Sequence, residues 1–107
     1  MKGLWLLCLL TLLLGCATTP DKEDPMEVAR TAFKAGNYLE SSSLLMPLAQ
    51  KGNAEAQYAL GYQFFYGLGV KRDKTQGFFW MQQSAIQGYP PAREALLRLT
   101  DDTKSRI

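Results

Sequence analysis

Histidine is absent from the 107 residues, and cysteine occurs only twice, at Cys8 and Cys16. Without an imidazole there is no Ser-His-Asp or Cys-His catalysis and no histidine metal ligand. If processing removes residues 1–15, as argued below, only Cys16 remains, which excludes a disulfide and a thiolate metal cluster. An excess of one charge is missing as well. The 12 Lys and Arg stand against 10 Asp and Glu, a net +2 with no basic stripe, so nucleic acid is not the expected partner. Long apolar runs are missing too, save for Leu4 to Leu14.

That run follows a short start with one positive charge, Lys2, and is eleven residues long. As a helix it would cover roughly 17 Å, against a hydrocarbon core of ~30 Å. It therefore reads as a cleaved signal peptide rather than a spanning helix. Its end, Leu13-Leu14-Gly15-Cys16, resembles the bacterial lipobox, in which the cysteine thiol receives a diacylglyceryl group and cleavage falls just before it. The resemblance implies a lipoprotein beginning at Cys16, with 92 residues and one net positive charge once Lys2 is lost. Acyl chains contribute about 0.8 kcal/mol per buried methylene, and more than one chain anchors stably. In bacterial lipoproteins an aspartate after the cysteine often signals retention at the inner membrane. Ala17 stands there instead, so the resemblance implies the outer membrane, facing the periplasm. Residues 17–24 are polar and extend at most ~28 Å, a tether that keeps the folded part near the bilayer.

The remainder repeats itself. Ala49, Gly52, Ala56, Ala59 and Leu60 recur as Ala85, Gly88, Ala92, Ala95 and Leu96, each pair 36 residues apart. A period in the mid-thirties fits a helix–turn–helix solenoid unit. Asp24-Pro25 predicts a first helix, capped by the aspartate and running to about Ala35 before Gly36. Asn37 with Glu40 has the spacing of a capping box and opens a second helix ending near Lys51-Gly52, with Pro47 expected to kink it or tighten its last turn. Asn53 caps a third helix that ends at Tyr66. Asp73 with Gln76 repeats the capping-box spacing for a fourth, closed by Gly88, and Pro90 begins a fifth that ends near Thr100.

The first helix would turn Met26, Ala29, Ala32 and Phe33 inward and Glu27, Arg30 and Lys34 outward. The fifth would turn Ala92, Ala95, Leu96 and Leu99 inward, with Glu94 and Arg98 outside. The third is apolar on nearly every side, as a central helix should be. The expected fold is all-α, a short α-solenoid of five helices making about two and a half hairpins. The expected organisation is a signal peptide at 1–15, a lipidated tether at 16–24, a repeat domain at 25–100 and a polar, fraying tail at 101–107.

The run Ala54-Glu55-Ala56-Gln57-Tyr58-Ala59-Leu60-Gly61, then Phe64, Tyr66-Gly67-Leu68-Gly69-Val70, Asp73, Trp80 and Ala85-Ile86-Gln87-Gly88 resembles the Sel-one-like repeat, a tetratricopeptide relative. Gly36-Asn37-Tyr38 and Pro47 to Gly52 look like the half-repeat that often precedes it, so the likeness covers roughly residues 26–99. Ser41 and Gly77 depart from it, standing where the family usually has alanine; both are small enough to allow close helix approach. The resemblance implies a protein-binding scaffold. Aligned on Leu60-Gly61 and Phe64, the tetratricopeptide pattern directs Glu55, Tyr58, Tyr62, Phe65 and Tyr66 to a concave groove. Tyrosine is a low-entropy, amphipathic contact residue suited to recognition, although the same rings could pack a neighbouring helix.

Gly67-Leu68-Gly69 lacks the Gly-Lys-Ser/Thr that a phosphate loop requires and reads as a turn. Asp73 and Glu40 have capping roles, and no two carboxylates present themselves as an acid–base pair. No catalytic residue, metal site or dissociable cofactor is expected; the one modification is the lipid on Cys16. The expected partner is another envelope protein, with the membrane engaged through the anchor. An inhibitor or immunity-type lipoprotein against a toxin or lytic enzyme is a second reading, and an envelope glycan binder a third.

Overall fold

The computed structural model describes residues 22–106. The expected signal peptide, Cys16 and most of the tether lie outside the described residues. Five helices follow one another: α1 (Pro25–Lys34), α2 (Tyr38–Gln50), α3 (Ala54–Tyr66), α4 (Lys74–Ile86) and α5 (Pro90–Ser105). Among the described residues there is no strand. Among the described residues no helix is long and apolar enough to cross a membrane. Each helix packs on the next in sequence, giving an all-α solenoid of two hairpins, α1/α2 and α3/α4, followed by α5.

The starts and stops are local. Asp24 accepts from the Met26 amide at 3.1 Å, Asn53 from Ala56 at 2.9 Å and Asp73 from Gln76 at 3.1 Å, each holding an otherwise unpaired N–H of the first turn. Asn37 departs from the expected capping box. Its ψ of 66° is far from the extended backbone of the other caps, and its side chain makes no capping bond. Gly67 ends α3 in the left-handed region at φ 69°, where a side chain would be strained. α2 continues through Pro47 to Gln50, and the Lys51 amide still reaches the Pro47 carbonyl at 3.1 Å. The missing proline N–H therefore does not end the helix.

The largest departure is at the other end. Instead of fraying after Thr100, α5 continues to Ser105. Glu94–Arg98 and Asp102–Arg106 pairs one turn apart, and threonine hydroxyls bonded to carbonyls three or four residues back, line its outer side.

The core runs along α1–α3: Met26, Ala29, Leu45, Ala49, Ala56 and Leu60 are buried together, with Phe64 and Trp80 against them. α4 lies on α3 through two glycines. A Cβ at Gly61 would fall 2.8 Å from the Gly77 carbonyl oxygen, and one at Gly77 would fall 3.0 Å from the Gly61 carbonyl oxygen. Gly77 is thus demanded by backbone contact, and that packing outweighs its poor helix propensity of ~1 kcal/mol. The α3–α4 loop is tied to the start of α2. Fully buried Gln63 donates to the carbonyls of Tyr38 and Leu68 at 2.9 and 3.2 Å, and Gly69 lies directly on the Tyr38 peptide. Three short helical connections and this pinned loop set α1 beside α3, which opens the cleft described next.

Candidate functional site

α1 and α3 face each other across a cleft of about 290 Å³ whose floor is Met26, Ala29, Leu45 and Ala59. Its walls carry Arg30 and Phe33 from α1, with Glu55, Tyr58 and Tyr62 from α3. Position along each helix explains this: Arg30 and Phe33 are three apart, and Glu55, Tyr58 and Tyr62 three and four apart, so each set forms one stripe.

Arg30 is one residue that sequence reasoning placed differently. It was expected on the solvent side with Glu27. In the structure it is half-buried, spans from Glu27 to Glu55, and donates twice to the Glu55 carboxylate, from Nε at 2.6 Å and Nη2 at 3.0 Å. A two-pronged bond of this kind fixes both side chains. Hydrogen bonding from Arg30 holds the Glu55 carboxyl below its ordinary value of 4.5, and the same bond raises Arg30 above the usual arginine range. A carboxylate held this way is a weak proton acceptor, which makes it a poor general base. The pair can instead orient a partner's polar groups.

The tyrosines continue the surface. Tyr62 lies 6.0 Å from Phe33, 6.5 Å from Tyr58 and 4.6 Å from Tyr66, centre to centre. Phe33 meets Tyr38 at 5.2 Å and Tyr58 meets Tyr89 at 5.7 Å. Phe33, Tyr38, Tyr58, Tyr62, Tyr66 and Tyr89 thus form one connected band, which Phe65 continues beyond Tyr66, in the edge-on and tilted contacts aromatic pairs favour. Burial and then the neighbouring Tyr62 push the Tyr58 phenol up, and burial and then the Glu55 charge do the same for Tyr89. Both stay neutral near pH 7, able to donate a hydrogen bond.

Of the five residues expected in the groove, the structure brings Glu55, Tyr58 and Tyr62 into one cleft and sets Tyr66 at its outer end, 49% exposed and tilted against Tyr62. Phe65 is elsewhere. It lies 5.5 Å from Phe78, with the Lys74 ammonium 5.6 Å over its ring, in a separate hollow closed by Leu99. It packs α3 against α4. The three consecutive aromatics of α4 divide as their adjacency requires: Phe79 is exposed, while Phe78 and Trp80 are half-buried. Arg30, Phe33, Tyr38 and Tyr89 join the site without having been expected there. The one signal for Phe33 was its place on the inward face of the first helix; for Arg30, 25 residues from Glu55, there was none.

Residues 54–89, which form α3, α4 and the turns around them, match the model of the Sel1 repeat. Among characterised proteins, the chain is 38% identical over 58 residues to the ERAD-associated E3 ubiquitin-protein ligase component HRD3A of Arabidopsis thaliana, a stretch that covers 53% of this chain and 9% of that protein. It is 42% identical over 48 residues to chitin synthase regulatory factor 3 of Schizosaccharomyces pombe, covering 45% of this chain and 5% of that one. The matched stretch spans less than a tenth of the length of either relative. No solved structure matches.

Proposed function

We propose that this Sel1-repeat protein is a lipid-anchored adaptor of the bacterial envelope that holds another protein in the α1/α3 cleft. The observation that carries the reading is the cleft itself. An ordered Arg30–Glu55 pair sits beside exposed edges of Tyr58 and Tyr62 over an apolar floor, the mixture of rigid aromatic and charged contacts from which protein-binding hot spots are made. The names of the two relatives, a component of a ligase and a regulatory factor, support a role exercised through other proteins. The lipobox-like Leu13-Leu14-Gly15-Cys16 supports the anchor, and Ala17 an outer-membrane address facing the periplasm. The protein then acts by position and recognition, without turnover.

The test is a photoreactive residue in place of Tyr62, activated in the native membrane and followed by mass spectrometry of the adducts. One dominant protein adduct, lost when Glu55→Arg reverses the charge beside it, is expected. No adduct from a folded protein would overturn the cleft as a binding site. Cys16→Ser tests the anchor separately: the protein should move to the soluble fraction, and retention in the membrane would refute lipidation.

A further inference from the structure

The outer face of α5 breaks the repeat in a particular way. With a period of 36 residues, Leu96 takes the place of Leu60, and Leu97 that of Gly61. Gly61 is where α4 closes onto α3, so tightly that a Cβ there would sit 2.8 Å from a carbonyl oxygen of α4. A following helix laid on α5 in the same way would strike Leu97. The solenoid cannot be continued from α5 with the spacing it uses between α3 and α4. Yet the groove that such a helix would fill is present, with apolar sides and with Gln82, Arg93 and Thr100 also in its lining. Ala85 and Ile86 of α4 line one side and Leu96 and Leu97 the other, with Ile86 79% and Leu97 67% exposed.

We propose that a second copy of this chain covers this groove, as a two-fold dimer in which the two α5 helices run antiparallel and Leu97 of each copy enters the groove beside Ile86 of the other. The charges on α5 select this occupant. Glu94 pairs with Arg98 and Asp102 with Arg106 along the helix itself. Arg93 and Asp101, one turn to either side of Leu97, pair with no opposite charge among the described residues. In an antiparallel pairing centred on Leu97, Arg93 of each copy comes opposite Asp101 of the other, so the symmetry makes the same favourable pair twice. A parallel pairing would set like against like. The face is the length of a 16-residue helix, about 24 Å, and so lies at the small end of specific interfaces. The dimer is accordingly expected to be concentration-dependent.

The test is sedimentation equilibrium of the full chain in non-ionic detergent, over concentrations up to about 1 mM. The wild type should pass from monomer to dimer. R93D and D101R, at exposed positions where circular dichroism should show the helices intact, each place like charges opposite one another and should raise the dissociation constant at least about tenfold. Mixed together, the two variants should form a heterodimer, because every facing pair is then again of opposite sign. A wild type that stays monomeric throughout overturns the proposal. So does a dimer indifferent to both substitutions, which would place association elsewhere, for instance in Leu4 to Leu14. Failure of the mixture to restore association refutes the antiparallel register. None of these outcomes depends on the α1/α3 cleft.

Discussion

The two hairpins solve the same packing problem differently. Ser41 in α2 and Gly77 in α4 are equivalent positions, 36 residues apart and both buried. Between α1 and α2 there is room for a side chain, and the Ser41 hydroxyl donates to the Ala29 carbonyl at 3.1 Å. Between α3 and α4 there is none: a Cβ at 77 would meet Cβ and Cα of Phe65 at 2.9 and 3.0 Å. The first hairpin is spaced by a side chain and tied by its hydrogen bond, whereas the second is joined by direct backbone approach, glycine on glycine. Two small residues that look interchangeable in sequence are therefore not interchangeable in space, because one fills a gap and the other permits its absence.

The strongest test of this comparison is where the hairpins should agree. Leu45 and Met81 are also equivalent, each 1% exposed. Truncating either to alanine should lower unfolding free energy by about 3 kcal/mol in urea melts, through lost burial and the cavity left. Very unequal losses would show that one hairpin does not share the cooperative core. The hairpins should then diverge at 41 and 77. Gly77→Ser should cost about 2 kcal/mol from overpacking, even after its gain in helix propensity, whereas Ser41→Gly should cost about 1 kcal/mol. The reverse order, measured the same way, would break the comparison.

The helix caps sharpen it further. Asn37 and Asp73 occupy equivalent N-caps, but only Asp73 makes the bond. Asp73→Ala should lose about 1 kcal/mol, and Asn37→Ala only a few tenths, by the same melts. The smallest effect concerns the link between the hairpins, Arg30–Glu55. Because Glu55 has a lowered carboxyl pKa in the fold, its contribution is complete above the unfolded value of 4.5 and fades as pH falls through the lower folded value. Both side chains are more than a third or about a third exposed, so the contribution should stay below about 1 kcal/mol. Glu55→Gln should remove that part of the acid dependence and leave the rest of the stability–pH curve unchanged.

Most of the helical layout was legible from local chemistry. Asp24, Asn53 and Asp73 cap where their position before helical stripes predicts, and Gly36, Gly67 and Gly88 fall where the chain takes positive φ. The errors share a cause. Asn37 has capping-box spacing but a ψ of 66° and no capping bond, which residue identity does not record. The tail after Thr100 is polar, and polarity was taken for fraying; the i to i+4 pairs that extend α5 were visible but are weak individually. Phe65 was assigned to the groove by its place in a motif, while in the structure it lies beyond Tyr66, in the hollow with Phe78, Lys74 and Leu99.

By itself, then, the sequence determined that the described residues form five helices with a 36-residue period, since caps, glycines and apolar stripes act within a turn or two of the residues that carry them. Only the tertiary structure decided that Arg30 turns inward to Glu55, that three of five expected residues share the cleft with Tyr66 at its edge, and that Gly77 stands against bare backbone. Each of these depends on the distance between two helices, a few ångströms set by the whole packed solenoid rather than by any residue's neighbours in the chain.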